Sequence, residues 1–244
     1  MIDQQIDIET EDGKTTTFIT HPDRGGPFPV ILFYMDAPGI RDELRDMARR
    51  LATSGYYVML PNLYYRSGVM KEFGPIPPDP EAPERKRMFA MVETIDIPMV
   101  MKDTKALLAY ADTQSAANAK IVGTVGYCMS GRYAVNAATH FADRVKAAAS
   151  VYGTHLATDQ PDSPHLAASK TRAELYFACA ETDIYAPQEI IDTLAAAMKG
   201  SNNEVEIYPG THHGFAFPKR PVYHRDAAER HWERLLALYR RNLV

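Results

Sequence analysis

The chain is poor in cysteine, with only Cys128 and Cys179 among 244 residues. Two thiols cannot build a disulfide framework, and free thiols are expected in the reducing cytosol. Also missing is any apolar run near the roughly 18 residues that a membrane span needs. The start, MIDQQIDIET, has no basic region followed by an apolar stretch, so no signal peptide is expected. A formal net charge of -4 excludes the basic face of a nucleic-acid binder and is too small to imply a cationic partner. The eight histidines include no His-x-x-x-His with a helical glutamate, so no metal is expected. GTVGYCMSG lacks both the Gly-x-Gly-x-x-Gly spacing and the lysine of a P-loop, so no nucleotide is expected either. Internal repeats and charge blocks are absent.

What remains is an ordinary globular composition, 45% hydrophobic and 24% charged. The length suits one α/β domain over 1–244. VILFY at 30–34 is a continuous apolar run, as in a strand buried on both faces. Leu44, Met47, Ala48, Leu51 and Ala52 recur at helical spacing, Ser54-Gly55 ends that helix, and YYVMLP reads as the next strand. Five prolines in residues 74–83 allow no regular element there. A long amphipathic stretch follows over roughly 84–110, broken near Pro98. IVGTVGY from Ile121, AAASVYG, LYFACA and VEIYPG read as further strands with helices between them, and the last helix carries Trp232, Leu235, Leu236 and Tyr239. This alternation predicts a mostly parallel sheet with helices on both faces. IDIET and KTTTFIT around Asp12-Gly13 predict an antiparallel hairpin at one edge.

In GTVGYCMSGRY a buried strand runs directly into a helix, with Cys128 at the junction. Such a sharp turn exposes one side chain above the sheet edge and needs small neighbours two positions away, here Gly126 and Ser130. A thiol at a helix start feels the positive end of the dipole, which favours thiolate. The backbone N–H of Met129 points to where an oxyanion would form. By itself this pattern equally suits a buried structural cysteine. Two further elements favour chemistry. ETDIYAP puts Asp183 just past the strand LYFACA, and THHGF puts His212 and His213 just past VEIYPG. Nucleophile, acid, histidine is the chain order of α/β-hydrolases. His213 is then the general base and Asp183 its orienting acid. His212 reads as a solvated histidine and Cys179 as a small core residue.

GYCMSG, ETDIYAP and HHGF together resemble the dienelactone hydrolase family (carboxymethylenebutenolidases), and the likeness runs over nearly the whole chain, including YMDAPGIRDELRDMARRLATSGYYVMLPNLYYR. The resemblance implies an α/β-hydrolase fold and a cytosolic, cofactor-free hydrolase of small or cyclic carboxylic esters. It puts the nucleophile on Cys128, the acid and base on Asp183 and His213, and a second oxyanion donor at the N–H of Ala37. The family's Gly-x-Cys-x-Gly has Ser130 at its last place here. A family glutamate that engages the resting thiol corresponds to Asp36, one methylene shorter. One of the family's two carboxylate-binding arginines corresponds to Arg85. The other falls on Phe217, with Lys219 and Arg220 close by. Phe217 is therefore expected to line the site as an apolar wall and to favour less acidic or bulkier esters than muconate-type lactones, a preference that Phe217→Arg would reverse.

The expected partner is a small ester or lactone, with no nucleic acid and no membrane; monomer and homodimer both stay open. A thioesterase or general carboxylesterase would use the same three residues. A thiol sensor or ligand-binding protein would keep the fold but would need neither Asp183 nor His213. Cys128 is expected to be the only rapidly alkylated thiol, because Cys179 sits within an apolar strand. Iodoacetamide labelling with peptide mapping checks this, and equal reaction at Cys179 would remove Cys128 from its assigned turn.

Overall fold

The structure is a computed structural model that describes residues 1–67, 73, 76, 77, 79 and 81–244. One eight-stranded sheet organises it, in the order β1-β2-β4-β3-β5-β6-β7-β8. β1 (Ile2–Thr10) and β2 (Gly13–His21) form the expected antiparallel hairpin, turning between the paired Thr10 and Gly13. β2 also runs antiparallel to β4 (Tyr57–Pro61). From β4 onward every pairing is parallel, through β3 (Phe28–Tyr34), β5 (Ala117–Tyr127), β6 (Val145–Val151), β7 (Glu174–Thr182) and β8 (Glu204–His212). β3, β6 and β5 from Val122 onward are almost wholly buried, as expected of strands covered on both faces.

The helices cover both faces. α1 (Asp42–Ala52) and α6 (Arg225–Leu243) lie together, joined by Arg50, which pairs with Glu229 at 2.6 Å and stacks over Trp232. α3 (Ile97–Asp112) packs beside α4 (Gly131–His140), and α5 (Gln188–Met198) packs along β8. Among the described residues no helix is long and apolar enough to cross a membrane.

Two boundaries differ from expectation. The proline-rich stretch lies partly outside the described residues, but its last proline, Pro83, opens α2 (Pro83–Val92). Proline is tolerated there because the first helical N–H has no intrahelical partner to lose. For the same reason Pro98 does not break a helix but stands in the first turn of α3. The real interruption falls at 93–96, and Asp96 caps α3 by accepting the Met99 N–H at 2.8 Å. The parallel strands thus bring the segments after β3, β5, β6, β7 and β8 to one edge, where open α/β sheets carry their functional groups.

Candidate active site

Cys128 follows β5 with φ of 56°, in the left-handed region that side-chain-bearing residues rarely enter. β5 is paired on both sides up to the turn, Gly126 standing opposite Tyr34 of β3 and Ser150 of β6. A short 3-10 turn over Cys128–Ser130 then leads into α4. The turn is so tight that a Cβ on Gly126 would lie 2.0 Å from the Ser130 carbonyl oxygen. The Cys128 carbonyl accepts the Thr154 N–H at 3.1 Å. Tyr127 anchors the strand end to α6. Burial holds His231 down to about 4, so it is neutral, and its Nδ1 donates to the Ala228 carbonyl. Its Nε2 is left to accept the Tyr127 hydroxyl at 3.0 Å.

Ser130 does more than stay small. It is fully buried, and its hydroxyl donates to the Met35 carbonyl. That bond ties the cysteine turn to the segment bearing Asp36 and Ala37, a tie that glycine cannot make.

His213 follows β8, and its Nδ1 meets Asp183 Oδ2 at 2.7 Å. The other oxygen, Asp183 Oδ1, accepts the Tyr185 N–H at 2.9 Å. Two tyrosine rings meet the imidazole edge-on, with centroids 5.1 Å away for Tyr152 and 4.8 Å for Tyr185. Its Nε2 is buried without a hydrogen-bond partner among the described residues. Burial pulls the His213 pKa down, but attraction to Cys128 and the hydrogen bond to Asp183 outweigh it and raise it to about 9. Cys179 differs sharply, since burial within β7 pushes its thiol up to about 12.

A cavity of about 590 Å³ opens over Cys128. Ala37, Met129, Arg85, His213 and Arg220 all line it, and His212 stands exposed at its edge. Asp183 sits behind His213. Asp36 does not line the cavity. Its carboxylate is fully buried, with Arg41 on both oxygens at 2.6 and 3.1 Å and Arg220 on Oδ2 at 2.8 Å. Two guanidinium groups thus occupy the carboxylate that sequence similarity aligned with a thiol-binding glutamate.

Phe217 corrects the sequence reading. It is 0% exposed and does not line the cavity. It packs against Tyr127 and Tyr152, with the guanidiniums of Arg41 and Arg220 over its ring at 4.9 and 5.0 Å. The reason lies in the tight turns after His213, where Phe215, Ala216 and Phe217 all point inward. Three residues on, the chain has turned back and Arg220 reaches the cavity. It passes over Gly214, at φ of 96°, where a Cβ would come within 3.1 Å of Arg220 Cδ. Lys219 stays outside; its N–H donates to Glu43 Oε1 at 3.0 Å. Arg41, Tyr152 and Tyr185 were not singled out from sequence. Only Arg41 carried a signal, five residues after Asp36 and between apolar Ile40 and acidic Asp42.

The dienelactone hydrolase family model matches residues 15–243. The chain belongs to that family. It is an enzyme of the α/β-hydrolase fold, whose relatives hydrolyse lactones or esters. A "Putative carboxymethylenebutenolidase" of Methylorubrum extorquens is 28% identical, covering 98% of this chain and 81% of its own length. A "Probable 2-oxo-3-(5-oxofuran-2-ylidene)propanoate lactonase" of a Bradyrhizobium species is 25% identical over 98% of this chain and 94% of its own. The crystal structure of a "Putative Dienelactone Hydrolase" from Klebsiella pneumoniae superposes with a TM-score of 0.85 at 25% identity, covering 98% of each chain.

Two measurements follow. The His213 imidazole should titrate near 9 by NMR, and in Cys128→Ser it should fall toward the ordinary 6.5, because burial remains and the attraction to the thiol is gone. The folded value lies above the unfolded one, so the charged ring stabilises the fold below about pH 6.5, and this is lost as the pH rises toward 9. An unchanged titration in the variant would separate the two side chains. Phe217→Arg should not create a carboxylate site but should cost on the order of 3 kcal/mol of stability in urea unfolding, through a lost aromatic packing site and an unpaired buried charge. A soluble variant as stable as the wild type would return Phe217 to the cavity wall.

Proposed function

We propose that this enzyme hydrolyses small lactones or esters bearing a carboxylate, through an acyl-enzyme on Cys128. The observation that carries the reading is the alignment of Asp183, His213 and Cys128 under a cavity that also holds Arg85 and Arg220. His213 accepts the Cys128 thiol proton or already holds it as an imidazolium beside the thiolate. The sulfur attacks the acyl carbon, and the carbonyl electron pair moves to oxygen, met by the N–H groups of Met129 and Ala37. Collapse breaks the acyl C–O bond, and His213 Nε2 gives its proton to the departing oxygen, which in a lactone stays on the same molecule. The neutral imidazole then takes a proton from water, hydroxide adds to the thioester, and the thiolate leaves. Asp183 keeps Nδ1 protonated throughout and stabilises the ring whenever it is charged.

The two arginines supply the substrate class. Guanidinium groups recognise carboxylates by charge-assisted, often bidentate hydrogen bonds. Arg220 here supports an acidic substrate, against the expectation drawn from Phe217. The lactone named for the Bradyrhizobium relative carries such a carboxylate. The two free thiols fit a cytosolic setting.

A panel of carboxylate-bearing lactones, neutral aryl esters and thioesters, run with wild type and Cys128→Ala, tests the reading. Cys128→Ala should remove turnover of all of them. Arg220→Leu should lower kcat/KM for the acidic lactone about tens to hundreds of fold, the loss expected for one of two charge clamps, and spare neutral esters. Equal losses on both would make Arg220 a structural partner of Asp36 only. Thioesters turned over best would reassign the enzyme as a thioesterase.

A further inference from the structure

We infer that Tyr185 is a positioning residue that links anion recognition at Arg85 to the orientation of His213; this rests on the hydrolytic reading of Cys128 and His213 above. Tyr185 lies two residues beyond Asp183, in the turn between β7 and α5. It touches three groups at once. Its backbone N–H donates to Asp183 Oδ1 at 2.9 Å, which fixes the carboxylate so that Oδ2 faces His213. Its ring meets the imidazole edge-on at 4.8 Å and 65°. Its hydroxyl accepts a hydrogen bond from Arg85 Nη2 at 2.9 Å.

A second ring, Tyr152, also meets His213 edge-on at 65°. An imidazole in contact with two rings and tethered at Nδ1 is restrained in rotation, which holds Nε2 toward Cys128. Tyr152 is fully buried, whereas Tyr185 is half-buried on the cavity side. Tyr185 is therefore the one of the two rings that answers to what enters the cavity. It also meets α2 a second time, through Phe89 at 6.3 Å, and Arg85 lies over that same Phe89 ring at 5.4 Å. The Tyr185 hydroxyl holds one edge of the Arg85 guanidinium and leaves its remaining N–H groups for a carboxylate. The ring serves His213, and the hydroxyl serves Arg85. The two roles separate in two variants.

The test measures kcat and KM for a carboxylate-bearing lactone and a neutral aryl ester in wild type, Tyr185→Phe and Tyr185→Ala. It also follows the hydrogen-bonded His213 Nδ1–H resonance by proton NMR. Tyr185→Ala should lower kcat on both substrates by about tenfold or more, as expected for a loosened base, and broaden the Nδ1–H signal. Tyr185→Phe should restore most of kcat and the signal, while KM rises several-fold for the acidic lactone alone. Equal KM shifts on both substrates in Tyr185→Phe, or an undiminished kcat and signal in Tyr185→Ala, would overturn the assignment. Should wild type turn over neither substrate, the hydrolytic reading falls, and the Nδ1–H resonance, which needs no turnover, still decides whether Tyr185 holds His213.

Discussion

The backbone at Cys128 is the constraint on which the rest of the site depends. A side-chain-bearing residue in the left-handed region costs on the order of 1–3 kcal/mol and persists only where its surroundings over-determine it. Here they do. β5 is clamped between β3 and β6 up to the residue before the turn, and Tyr127 is locked to His231 of α6. Gly126 leaves room for the Ser130 carbonyl, and Thr154 holds the Cys128 carbonyl. The strain is thus borne by the sheet core, the least deformable part of the molecule. In return the sulfur stands above the sheet edge at a helix start, a place no ordinary strand or helix position offers.

Charge around the cavity follows from a second constraint, the full burial of Asp36. A buried carboxylate is costly unless paired, and here Arg41 takes both oxygens in a fork while Arg220 adds a third bond. Arg41 is also bound by Glu43, so it is neutralised within the wall of the site. Arg220 is shared differently: one amino group belongs to Asp36, the guanidinium lies over the Phe217 ring, and the residue also lines the cavity. The aspartate therefore fixes a cation that lines the cavity, while the positive character of His213 comes from Cys128 and Asp183.

The fold was legible because its signals are local and periodic. Apolar runs gave the strands, and helical spacing gave α1, α5 and α6. The places of Cys128, Asp183 and His213 at the sheet edge were legible because each follows a parallel strand, so position in the chain translates into position at that edge. What was misread lies where the chain leaves the sheet. Phe217 and Arg220 sit in successive tight turns, and which of the two reaches the cavity depends on backbone direction, which residue spacing does not carry. Ser130 was read for its size alone, although its hydroxyl bridges to Met35, 95 residues earlier in the chain. Tyr152 and Tyr185 looked like ordinary apolar residues, since nothing local marks a ring that will pack against a distant imidazole.

These placements divide the site into two parts with different mechanical properties. The proposed reacting groups hang from strand ends and from the turn at Cys128, and a displacement of any one of them would have to deform a close-packed sheet. The two arginines proposed to recognise substrate, Arg85 on α2 and Arg220 in the backbone-bonded turns after β8, stand outside the sheet. On the proposed reading, substitutions there change which anion is bound while Asp183, His213 and Cys128 keep their places at the strand ends. Tyr185 is the exception, since it belongs to both parts. Its amide and ring are committed to Asp183 and His213, and its hydroxyl to Arg85. A change of specificity that moves Arg85 must therefore either preserve the Tyr185 hydroxyl contact or give it up and retain the ring. That makes phenylalanine the one substitution at 185 that keeps the acid–base geometry while releasing the arginine.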